Sequence, residues 1–182
     1  MALTALEDAR GEPGLLVEIR GTISANVAAD LLKAHNKAFR AWCRANGESA
    51  RDLVIVDSGT GSYWARLRDA AEVAGLLQLG SDILPAFMTH LAEIVHLGFA
   101  SDPSEFSALF TDLLKAYRKA IANKTVQAVV ISGLTIKPIE ITTVKQVDQI
   151  IVVAEAQRLS KKAPTPVRPV IAHDEVEWRI PS

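Results

Sequence analysis

The stretch from Arg51 to Ala70, RDLVIVDSGTGSYWARLRDA, constrains the fold more than any other part of the chain. Leu53-Val54-Ile55-Val56 is a β-branched run of the kind that fits a pleated, half-buried surface. Asp57 to Ser62 supplies turn residues, and its glycines reach positive φ without a steric penalty. Tyr63 to Arg68 then brings a second strand-like run around Trp64. Two such runs predict a β-hairpin with a loop of about four to six residues.

The segments on either side supply the partners of that hairpin. Leu15 to Gly21 alternates as a half-buried strand does, after a break at Gly11-Glu12-Pro13-Gly14, and residues 1–12 read as a tail. Ser24 to Asn46 is a helix with Ser24 at its start and Gly47 at its end. Ala28, Leu31, Leu32, His35, Ala38, Phe39, Trp42 and Cys43 form its apolar stripe, which makes His35 a core histidine and Cys43 a small buried hydrophobe. After the hairpin, 70–79 reads as a short helix and 82–97 as a longer one, with Pro85 in its first turn. Asp102-Pro103-Ser104-Glu105 starts another helix, running to about Asn123. Two further strands follow, Val126 to Ile131 and Leu134 to Thr142, with Pro138 marking the second as an edge. Thr143-Val144-Lys145-Gln146 resembles a capping box that opens a last helix, although Val152-Val153 also suits a strand.

The order strand, helix, hairpin, helices, hairpin, helix predicts an α+β fold. Its sheet is mostly antiparallel, begins as a split βαβ unit and is covered by a helical layer. Residues 13–161 form the domain, with 70–123 as its helical segment. Residues 162–182 are a proline-rich linker and a polar–apolar alternation, Val176, Trp178 and Ile180, that suits a strand added to a sheet edge.

Val54-Ile55-Val56-Asp57-Ser58-Gly59-Thr60 resembles the active-site loop of aspartic proteases of the pepsin and retroviral type. The resemblance implies Asp57, Ser58 and Gly59 as a catalytic loop. It also implies a dimer in which two Asp57 carboxylates share a proton, because two close carboxylates do not both ionise cheaply. The chain departs from that family beyond the loop, where residues 69 to 123 read as helices. A second constellation, His90-x-x-Glu93-x-x-His96, has a spacing used by metal sites in helix bundles.

Hydrophobic residues make up 49% and charged residues 23%, so the chain can bury a core. The net charge of −1 leaves no basic surplus for a nucleic acid. No apolar run reaches the roughly 18 residues of a membrane span, and a lone Cys43 admits no internal disulfide and suits the cytoplasm. The helix 82–97 is apolar over most of its circumference, which suits either a central helix or one covered by another subunit. Three functions follow. The leading expectation is a non-enzymatic protein-interaction or assembly module without a cofactor. It associates with itself or another protein through Phe87, Leu91, Ile94 and Val95 and through Val176, Trp178 and Ile180. The alternatives are an aspartic-type hydrolase on Asp57 and a metal-dependent enzyme on His90, Glu93 and His96.

Overall fold

A computed structural model of the chain describes residues 2–59, 63–76, 82–97 and 110–162. Its elements are α1 (Ala2–Arg10), β1 (Leu15–Gly21), α2 (Ala25–Ala45), β2 (Leu53–Gly59), β3 (Tyr63–Asp69), α3 (Ala70–Val73), α4 (Ile83–Leu97), α5 (Thr111–Ile121), β4 (Val126–Gly133), β5 (Ile136–Ile141) and α6 (Val144–Lys162). The strands form one five-stranded sheet in the order β2-β3-β1-β4-β5, and every neighbouring pair is antiparallel. The fold is α+β as expected. The split βαβ unit is real: β1 and β2 run parallel, α2 connects them, and β3 sits between them.

β1 is the central strand, and Leu15, Leu16, Val17 and Ile19 are each at most 2% exposed. Side chains alternate across a strand, so burial of neighbours requires cover on both faces. On one face Leu15, Val17 and Ile19 join the main core with Val129, Ile131, Leu67 and the buried sides of α2, α4, α5 and α6. On the other, Leu16 and Trp64 pack with Leu6 and Ala9 of α1. Residues 2–10, expected as a tail, are therefore a helix that shields the back of the sheet. Glu18 points to this back face and is buried, but both its oxygens are satisfied. Arg10 Nη2 donates to Oε2 (2.8 Å) and Arg20 Nε to Oε1 (3.2 Å). The charge-assisted bonds offset the desolvation of the carboxylate and tie α1 to β1.

α2 begins where expected: Ser24 Oγ accepts from the Val27 amide (3.4 Å). Asp30 of α2 meets Lys119 of α5, while Lys37 meets Asp112, so the two helices are antiparallel. The lysine hydrogen bonds hold both aspartates below the usual carboxylate range. Between these exposed pairs lies a buried polar contact. The Leu31 carbonyl can only accept, so His35 Nδ1–H donates to it (2.8 Å); Nε2 then accepts from the Tyr117 hydroxyl (2.7 Å). The expectation of a hydrogen-bonded core histidine holds.

Side chains meet backbone groups at the start of β2 and at the end of β5. On β2, the Leu53 amide donates to Asn36 Oδ1 (2.7 Å), and Asn36 and Arg40 both hold Asp52. On β5, the Gln146 carboxamide accepts from the Thr142 amide and donates to the Glu140 carbonyl, each at 3.3 Å, as a neighbouring strand would. Thr143 Oγ accepts from the Gln146 amide (3.1 Å), which completes the start of α6. Pro138 has no N–H to offer on that edge.

Burial pushes the His35 imidazole from an ordinary value of 6.5 down to about 4 in the folded protein. The unfolded chain binds the proton first, so stability is full above pH 6.5, falls between pH 6.5 and 4, and levels off for this group below that. Urea denaturation across this range is expected to show a loss of about 3 kcal/mol from His35. The slope is expected to shrink in His35→Gln, followed by the same denaturation series.

Candidate functional site

The protease-like segment lies within a strand. Asp57, Ser58 and Gly59 belong to β2, opposite Arg66, Ala65 and Trp64 of β3, with a bulge between Ile55 and Asp57. The Asp57 side chain is half-exposed. One oxygen accepts from the Ser58 amide (2.8 Å) and the other lies 3.9 Å from Arg66 Nη2. A Cβ on Gly59 would sit 2.2 Å from Trp64 Nε1. The glycine is therefore explained by the indole that lies across it, and Asp57 by local hydrogen bonding and charge.

His90, Glu93 and His96 share α4 but not an environment. His90 is buried against the Trp42 ring, with centroids 4.6 Å apart, and its Nδ1 is 3.9 Å from Glu93 Oε2. Glu93 and His96 line a groove with Ile136 to Glu140 of β5 and Gln146 of α6. Among the described residues, no three His, Cys, Asp or Glu side chains lie close enough together to hold a metal ion.

The expected interface residues of α4 are covered by the chain itself. Phe87, Leu91, Ile94 and Val95 are each at most 3% exposed and belong to the main core. The Phe87 ring meets Phe39 at 5.3 Å and Phe110 at 5.8 Å. Of the two situations that suit such a helix, α4 is in the internal one. Val176, Trp178 and Ile180 lie outside the described residues.

A different surface stands out. Successive residues of an α-helix turn by about 100°, so Val152 projects nearly opposite to Ile150. Val147 and Ile150 of α6 are buried, whereas Val152 is 64% and Val153 39% exposed. Together with Val144, Lys145, Asp148 and Gln149 they line an open groove of about 730 Å³. Asp148 is fixed in it by Arg118 of α5 (2.6 Å). The signal was present in the sequence: Ile150 to Ala154 is apolar all round, which a helix docked on one side does not need.

No helix of the described residues is long and apolar enough to cross a membrane. No protein-family model, curated protein or solved structure matches the chain.

Substitution separates the packing role of Gly59 from the charge of Asp57. Gly59→Ala is expected to displace the Trp64 indole, lower stability by about 1–3 kcal/mol and alter the tryptophan near-UV signal. Asp57→Asn is expected to change stability by at most about 0.5 kcal/mol.

Proposed function

We propose that the chain is a non-enzymatic assembly module that pairs with a second copy of itself through the outer face of α6. The observation that carries this reading is a helix with two apolar sides, one packed on α5 and the core and the other presenting Val152 and Val153. The charges around the valines favour a second copy as occupant. Lys145 and Glu155 are exposed near opposite ends of the patch. An antiparallel copy sets each Lys145 near the other's Glu155, and the helix dipoles also oppose favourably. The buried charged and polar groups support a structural role for the rest of the chain. Glu18 is held by Arg10 and Arg20, His35 by Leu31 and Tyr117, and Asp69 by Arg51 and the Ala71 amide. The single, buried Cys43, whose thiol burial pushes up, fits a reducing, cytoplasmic setting.

Light scattering and sedimentation on the full chain test the reading. The expected result is a dimer that Val152→Asp or Val153→Asp weakens more than about tenfold, with an unchanged far-UV spectrum because both side chains are exposed. Lys145→Glu is expected to weaken it too, and Lys145→Glu with Glu155→Lys to recover it. A monomer at high micromolar concentration, or a dimer indifferent to all four variants, overturns the proposal.

A further inference from the structure

A second feature, independent of α6, lies where the start of β1, the end of β3 and the start of α4 converge. There Arg68, Glu72, Asp82, Leu84, Met88 and Leu134 share a cavity of about 270 Å³. This is slightly below the usual small-molecule range of about 300–1,000 Å³, so the occupant is limited to a small number of heavy atoms.

The lining divides into three parts. Arg68 is the cationic part. Its contact with Glu72 is an ion pair at 3.5 Å, and its Nε is buried without a hydrogen-bond partner. A guanidinium offers five N–H donors in a fork that matches a carboxylate. Glu72 and Asp82 are the anionic part, and Asp82 is exposed at the rim. Leu84 and Met88 of α4 are the apolar wall, joined by Leu134 from the turn between β4 and β5, which is 61% exposed. Neither a simple anion nor a simple cation uses all three parts.

We propose that this cavity binds a small aliphatic zwitterion, a free amino acid with a side chain of about the size of leucine's. Its carboxylate lies on Arg68, its ammonium against Glu72 and Asp82, and its side chain on Leu84, Met88 and Leu134. Each charged end meets its opposite, and the apolar end covers Leu134, the exposed member of the apolar wall.

Isothermal titration calorimetry on the full chain tests this with three probes: L-leucine, isocaproate, which lacks the ammonium, and isoamylamine, which lacks the carboxylate. Leucine is expected to bind at millimolar concentration or better, and each analogue about tenfold or more weakly. Arg68→Gln is expected to abolish the advantage of leucine over isoamylamine. Glu72→Gln with Asp82→Asn is expected to abolish its advantage over isocaproate, and this pair carries the test alone if Arg68→Gln does not fold. Absence of leucine binding, equal binding of the three probes, or folded variants that bind leucine as the parent does overturns the proposal.

Discussion

The fold depends on a strand that has no solvent side. β1 is buried on both faces and hydrogen-bonded along both edges, with β3 on one side and β4 on the other. A strand in that position can be stable only if separate layers cover its two faces. The helices α2, α4, α5 and α6 supply one layer, and α1 supplies cover over Leu16 and Trp64. Glu18 is the one charged residue among the buried positions of β1, and it joins α1 to the sheet through Arg10. The fully buried apolar residues of β1 and a buried charged contact are therefore only a few residues apart.

What could be read from the sequence follows from how local each determinant is. The hairpin of β2 and β3, the strand β1, the helix α2 with its Ser24 cap, and the crossover that splits β1 from β2 all rest on short-range periodicity and turn chemistry. The role of α1 was hidden because, among its described side chains, Leu6 and Ala9 mark its buried side, and two residues do not make a visible stripe. The helix α4 gave a correct outline and an open partner: apolar all round means covered, but the cover comes from Phe39, Trp42 and Phe110, distant in sequence. The Asp57-Ser58-Gly59 motif shows the same limit, since the need for Gly59 comes from Trp64 across the strand pair. The outer face of α6 was obscured by Val152-Val153, whose β-branched pair fits a strand as well as a helix.

The two proposed sites draw on opposite kinds of surface. The face of α6 is an open, exposed groove, as suits another folded surface. The hollow beside Arg68 is small and charged at both ends, as suits a molecule of few atoms. Neither uses His35, Tyr117 or Glu18, so the charged groups of either site can change without disturbing the His35–Tyr117 contact or the arginines around Glu18.

The carboxamides on the outer strands have a consequence for growth. Asn36 and Gln146 occupy backbone groups where another strand would dock. A strand docking at either of these places would have to displace the side-chain contacts at Leu53, Glu140 and Thr142. In a pair of the kind proposed for α6, a self-complementary patch is used twice about a two-fold axis and is then used up. The pairing proposed for α6 is thus closed by its own symmetry, and it leaves the contacts of Asn36 and Gln146 with the outer strands in place.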